Sequence, residues 1–253
     1  MPVTFQPAWD CPEPSRGIAE ALIARGLASR EGPDPGGLVL TCGPDGLALT
    51  AREGDQALSL HLDLVRGPQG YRLAHAGQAR EDLIRALGRL PRGSTVLDAS
   101  TGLGRDSLVL AARGYRVIAL ERHPILAALF SDALQRAARH PALESVLAHL
   151  DFHPADAGAW LAENDLLFDA AVFDPMFPPR RKDAAVKKEM QVLQRLLGVN
   201  ADPDAPATLA ALRRRVRRRV VVKRPLHAPH LGGQTPAHAL RGRSIRFDIY
   251  LPV

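Results

Sequence analysis

Four acidic residues stand where apolar or strand-like runs end: Asp98, Glu121, Asp156 and Asp174. A carboxylate accepts hydrogen bonds and donates none, so each suits a ligand rich in hydroxyl or amino hydrogens. Asp98 leads into Ala99-Ser100-Thr101-Gly102-Leu103-Gly104-Arg105-Asp106, a small glycine-rich turn that runs on into the helix-like Ser107–Ala112. A strand, such a turn and a helix start together present backbone N–H groups to an anionic or nucleotide-like ligand. The charge of Asp98 disfavours a phosphate there and suits a neutral or cationic nucleoside. Glu121 suits a ribose, whose vicinal hydroxyls both donate to one carboxylate; otherwise it is a surface acid at a helix start. Asp156 either accepts from an exocyclic amine such as adenine's or caps a helix. Arg105 is suited to pairing with a ligand carboxylate, and Asp106 to capping the helix it opens.

The sharpest feature is Asp174-Pro175-Met176-Phe177, directly after the apolar run Ala170–Phe173. An aromatic amine is a poor nucleophile because its lone pair is delocalised into the ring. A carboxylate and a turn carbonyl that accept its two N–H bonds hold it and favour the pyramidal geometry needed for attack. Phe177 offers a face on which a base stacks. The bland alternative is a strand-ending Asp-Pro turn with a core phenylalanine. Arg180, Arg181, Lys187 and Lys188 flank this turn, and Lys223 and Arg224 end a neighbouring apolar run. Phosphates of a bound strand pass close to such a pocket, so this rim reads as substrate-binding. The run Arg213–Arg219, with six arginines in seven positions, reads as no more than a solvated face.

Positioning these residues requires alternating strands and helices. The patterns predict strands at Thr95–Asp98, Tyr115–Glu121, His149–His153, Phe168–Asp174 and Val220–Lys223. Helices are predicted at Gln78–Leu90, Asp106–Arg113, Pro124–Arg139 and Ala184–Leu197, with a closing hairpin of Ala237–Leu240 and Ile245–Leu251 around Arg241-Gly242-Arg243. Repeated β-α units imply a mostly parallel sheet covered on both faces, with ligands beyond the carboxyl ends of its strands. Upstream, a helix is predicted over Ser15–Leu27, a hairpin at Leu38–Thr41 and Leu47–Thr50, and a strand over Ala57–Val65. These suggest a small α+β module over residues 1–74 that buries little by itself. The larger α/β domain is expected over residues 75–253.

With 253 residues, 46% of them hydrophobic, the chain has material for an ordinary packed core. The formal charge of +6 and pI near 9.9 favour encounter with polyanions, nucleic acid above all. No apolar run approaches the roughly 18–20 residues of a membrane span, and the N-terminus lacks a signal-peptide pattern; a cytoplasmic protein is expected. Cys11 and Cys42 read as two unpaired thiols in a reducing compartment, and His227 and His230 lack partners at metal spacing, so no metal is expected.

Asp98–Asp106 resembles the first motif of class I S-adenosylmethionine-dependent methyltransferases, and Asp174-Pro175-Met176-Phe177 resembles their amino-methylating motif, with Met176 in place of its second proline. Three blocks are similar to the RsmJ family of bacterial 16S ribosomal RNA guanine-N2 methyltransferases. These are Asp98–Arg122; Asp174–Pro178 with Val186–Met190; and Val220–Pro225 with Arg246–Tyr250. The resemblance implies a Rossmann-like fold and methylation of guanine-1516 by S-adenosylmethionine. It implies cofactor contacts at Arg105, Asp106, Glu121, Arg122, Ala155, Asp156 and Asp174, to which the turn residues Asp98, Gly102 and Gly104 are added. Asp174, Pro175 and Phe177 are assigned to the reaction itself. The chain departs from the family at Arg72–Arg80, which lacks the usual basic, glycine-rich character, so no RNA contact is assigned there. The expected partner is 16S rRNA or the small ribosomal subunit. The runner-up activities are amino methylation of DNA adenine or protein glutamine, and a basic RNA-binding protein that keeps the cofactor fold without chemistry.

Overall fold

Short β-branched runs that end in glycine or Asp-Pro turns set the architecture of the carboxyl-terminal two thirds. The structure is a computed structural model and describes residues 3–8, 10–30, 37–53, 56–66, 70, 72, 81–177, 188–198 and 200–253. Strands β1 (Val3–Pro7), β2 (Ala28–Ser29), β3 (Leu38–Gly43), β4 (Gly46–Glu53) and β5 (Gln56–His61) form one sheet in the order β2-β1-β3-β4-β5. Strands β6 (Thr95–Asp98), β7 (Arg116–Leu120), β8 (Leu150–His153), β9 (Phe168–Phe173), β10 (Val216–Pro225), β11 (His238–Arg241) and β12 (Ile245–Tyr250) form the other, ordered β11-β12-β10-β9-β6-β7-β8. The helices are α1 (Glu13–Ala24), α2 (Asp82–Leu87), α3 (Arg105–Ala112), α4 (Pro124–Ala137), α5 (Glu144–Leu147), α6 (Ala157–Glu163), α7 (Lys188–Leu197) and α8 (Ala205–Arg214).

In the larger sheet β10, β9, β6, β7 and β8 run parallel, and β12 joins β10 antiparallel, so the mostly parallel sheet with a closing hairpin is present. The chain leaves β6 towards β7 and β8, then returns to β9 on the other side. That reversal opens a crevice at the carboxyl ends of β6 and β9, where this class of sheet takes its ligands. Residues 78–80 of the predicted Gln78–Leu90 helix and residues 184–187 of the predicted Ala184–Leu197 helix lie outside the described residues. Five elements carried too little pattern to be expected: β1, β2, α5, α6 and α8. Strand β1 is flanked by prolines and is held parallel to both β2 and β3.

The two sheets share apolar contacts. Phe5, Leu40, Leu49 and Leu60 of the first sheet form one buried cluster with Leu126, Leu129 and Phe130 of α4. A buried polar contact fixes the same seam. The Asp132 carboxylate accepts the Leu47 N–H at 3.0 Å and pairs with Arg136 at 2.9 Å, while Arg136 donates to the Leu62 carbonyl at 2.6 Å. Gly46, at φ +97°, keeps the β3–β4 turn clear of Asp132 and Arg136.

One expectation is corrected here. Cys11 and Cys42 form a disulfide, with their Cα atoms 5.3 Å apart. Beyond β1 the chain folds back over β3, with the Ala8 N–H on the Cys42 carbonyl at 2.8 Å, and this lays Cys11 onto Cys42. Sequence spacing carries no sign of a contact that the β1–β3 pairing creates. No helix among the described residues is long and apolar enough to cross a membrane.

Replacing Asp132 by alanine leaves a buried N–H and a guanidinium without their acceptor. We expect Asp132→Ala to lower the unfolding free energy by about 2–4 kcal/mol in a denaturant titration. Asp165→Ala, at a side chain 95% exposed, is expected to change it by less than about 1 kcal/mol.

Candidate active site

The glycine turn is held from beneath by two acids. Asp98 is buried, accepts the Ser107 hydroxyl at 2.5 Å and accepts the Ser100 N–H at 3.2 Å. Burial pushes its pKa up to about 7, against those two donors and with help from the neighbouring Asp106 charge. Glu121, also buried, accepts the Gly102 N–H and the His123 N–H, each at 2.7 Å, one on each oxygen. Burial raises its pKa while those N–H groups oppose the rise. Each oxygen retains a second lone pair, so Glu121 both ties the turn to the end of β7 and remains an acceptor for a ligand. Gly104, at φ +72°, cannot be replaced without collision, because a Cβ there would enter the Phe130 ring.

Above the turn lies a cavity of about 420 Å³ whose lining includes Ser100, Gly102, Glu121, Asp156, Asp174 and Met176. Asp156 fills both roles left open for it. One oxygen caps α6 by accepting the Ala159 N–H at 3.0 Å, and the residue also forms part of the cavity wall. Asp98, Gly104, Ala155, Arg105 and Asp106 stand outside the lining. Arg105 pairs with Glu189 at 2.6 Å on the surface. Asp106 pairs with Arg72 at 3.1 Å and Lys223 at 3.2 Å; burial works to raise its pKa, and the two cations overcome this and lower it.

Asp174 closes the cavity on the β9 side. Its N–H donates to the Ser100 hydroxyl at 2.7 Å, which links the two halves of the crevice. Its carboxylate lies 3.0 Å from Lys223 Nζ and keeps 46% of its side-chain surface open to the cleft. Surrounding protein raises its pKa, and Lys223 counters that rise. Phe177 lies beneath the Arg224 guanidinium, 4.6 Å from the ring centroid, and Arg224 is buried and donates to the Pro229 carbonyl at 3.0 Å. The basic pair at the end of β10 thus faces inward: Lys223 holds two carboxylates and Arg224 covers a ring. Arg180, Arg181, Lys187 and the Lys188 side chain lie outside the described residues.

Asp202 escaped the sequence reading. It accepts the Met176 N–H at 2.9 Å, forms an ion pair with Arg122, and lines the cavity with Asn200 and Thr208. Asp202-Pro203-Asp204-Ala205-Pro206 carries a helix-start signal, but its return onto the Asp174 turn is a tertiary event. The arginine run lies at the opposite end of the sheet. There Arg215 pairs with Asp165 at 2.7 Å, and Arg213 and Arg219 donate to the carbonyls of Leu251 and Ala86.

Comparison with known proteins gives the family. Residues 26–252 match the family described as putative SAM-dependent methyltransferase. The chain is 42% identical over 245 residues to ribosomal RNA small subunit methyltransferase J of Thioalkalivibrio sulfidiphilus, covering 94% of each chain. It is 38% identical over 256 residues to the protein of that name from Erwinia tasmaniensis, again covering 94% of each. The crystal structure of a SAM-dependent methyltransferase from Neisseria gonorrhoeae superposes with a TM-score of 0.76 at 29% identity, covering 99% of this chain and 96% of that one. The chain is therefore a SAM-dependent methyltransferase and belongs to the ribosomal RNA small subunit methyltransferase J family.

Proposed function

We propose that this enzyme methylates the exocyclic N2 amine of a guanine in 16S ribosomal RNA, at the position 1516 that the family resemblance implies. The observation that carries the reading is Asp174: an acceptor open to the cleft, at the junction of the cavity and the Phe177 ring. The relatives' shared name, ribosomal RNA small subunit methyltransferase J, supports the substrate class.

The cavity residues fit S-adenosylmethionine. Glu121 keeps free lone pairs for a ribose diol, Asp156 an oxygen for the adenine amine, and the backbone at Ser100 and Gly102 borders the space between. That cofactor supplies a methyl group on a sulfonium, which is already a good leaving group. The protein's task is then alignment. Asp174 accepts one N–H of the guanine amine, the Pro175 carbonyl accepts the other, and Phe177 stacks on the base with the face that Arg224 leaves free. As the N–C bond forms and the C–S bond breaks, the amine becomes cationic and gives up a proton. Asp174 is the base in contact with it and passes that proton to solvent.

Incubation with labelled S-adenosylmethionine and undermodified small ribosomal subunits, followed by mapping, is expected to place the label on one guanine N2. Label on DNA adenine or protein glutamine instead would replace this reading, and binding without transfer would favour a non-catalytic protein. Asp174→Ala is expected to keep calorimetric cofactor affinity within a few-fold and to lower turnover by at least ~100-fold. Turnover at the level of the unaltered protein would remove the role given to Asp174.

Lys223 makes a pH prediction. Asp174 must be ionised to accept from the amine; burial and Asp106 raise its pKa, while Lys223 and Arg224 lower it. Lys223→Met removes the closest cation, so the pKa rises further. Activity of the variant should therefore rise with pH along a limb displaced to higher pH than that of the unaltered protein. A contact to RNA phosphate would instead raise the KM for subunits and leave the limb in place.

A further inference from the structure

We propose that the turn Arg241-Gly242-Arg243, between β11 and β12, docks the phosphates that flank the target nucleotide. This inference rests on the RNA reading given above. Three observations converge on it: the direction from which the acceptor must come, the position of the turn, and the state of its two guanidinium groups.

Methyl transfer requires the sulfur, the methyl carbon and the attacking nitrogen in line, so the acceptor enters opposite the cofactor. The cofactor cavity draws on the ends of β6, β7 and β8 through Gly102, Glu121 and Asp156. In the strand order β11-β12-β10-β9-β6-β7-β8, the other approach to Asp174 crosses β10, β12 and β11. A second cavity, of about 340 Å³, lies on that approach, with Arg72, Asp106, Lys223 and Ile245 in its wall. Lys223 is common to this wall and to the Asp174 ion pair, so the two spaces meet at that ammonium group.

Strand register places the turn at the mouth of this approach. Pro225 pairs with Ile245 and Lys223 with Phe247, so β12 begins at the catalytic end of the sheet and the turn before it overhangs that end. The Gly242 N–H donates to the Ile245 carbonyl at 2.8 Å and closes a tight turn. A Cβ on Gly242 would stand 3.1 Å from an Asp82 oxygen, which sets the turn against the start of α2.

Arg241 and Arg243 are both exposed, and neither side chain bonds or pairs with any described residue. The nearby acids are already engaged: Asp82 with Arg85 at 2.7 Å, and Glu81 with Arg72 at 2.5 Å. Five arginines of the basic run at the far end, Arg213, Arg215, Arg217, Arg218 and Arg219, are bound to carbonyls, an amide or carboxylates, whereas among the described residues Arg241 and Arg243 remain available to a polyanion. Two guanidinium groups on a short turn match successive phosphates of a strand whose base reaches inward.

The test compares Arg241→Ala/Arg243→Ala with Arg217→Ala/Arg218→Ala, both in the full chain. Binding to undermodified small subunits is titrated over a range of salt concentrations, and methyl transfer is measured separately. The first variant is expected to raise the KM for subunits about tenfold and to flatten the slope of log affinity against log salt by about 2, with kcat and cofactor affinity unchanged. The second is expected to behave as the unaltered protein. Equal slopes and KM values for the first variant and the unaltered protein would overturn the docking turn, as would equal losses in both variants. Because binding is read without methyl transfer, an unaltered protein that binds subunits but methylates none of them counts against the guanine reading, not against this surface.

Discussion

The catalytic end of the sheet depends on one ammonium group. Three carboxylates, those of Asp98, Asp106 and Asp174, crowd the ends of β6 and β9 and the start of α3, and like charges in a partly desolvated space cannot all remain ionised without compensation. Lys223 stands between Asp174 at 3.0 Å and Asp106 at 3.2 Å, and Arg72 pairs with Asp106 from the other side. Asp98 forms no ion pair among the described residues and is the acid whose pKa climbs to about 7. The arrangement sorts three chemically similar groups into distinct roles. Asp98 supports the glycine turn, Asp106 anchors the lysine, and Asp174 is left with an open face. Strand pairing makes this possible, since β10 lies parallel to β9 and antiparallel to β12 and so brings Lys223 level with the Asp174 turn.

A second tie runs across the crevice. Asp202 holds both the Met176 N–H and Arg122, so the segment before α8 joins the Asp174 turn to the end of β7. Ser100 makes a similar link through the Asp174 N–H. The Asp174 turn and the glycine turn that borders the cavity are therefore one connected structure. A shift of either would disturb the alignment on which in-line transfer relies.

Charge is distributed unevenly along the same sheet. At the end remote from the crevice, the Arg213–Arg219 run secures loops through Asp165 and several backbone carbonyls, which engages five of its six arginines. At the catalytic end, Lys223 and Arg224 are turned inward, one to carboxylates and the other to the Phe177 ring. Among the described residues little positive surface is consequently left there for a polyanion, and position matters more than the number of arginines.

Much of this was legible before the structure. The β-α alternation, the glycine turn after Asp98, the acid at Glu121 and the Asp-Pro-Met-Phe turn are local patterns, because period, turn chemistry and strand-end polarity are written in neighbouring residues. Such patterns led to the parallel sheet and to the cofactor side of the site. They carried no information on partners distant in sequence. Lys223 read as a rim cation, yet the β9–β10 register turns it onto Asp174; Cys42 read as a free thiol, yet the β1–β3 pairing lays Cys11 upon it; Asp202 drew no reading, yet it returns onto the Asp174 turn. In each case the local residues are compatible with several environments, and long-range strand pairing selects one of them. Residue order was enough for the chemistry of the individual groups, and the fold chose which charges face one another and which remain open to a substrate.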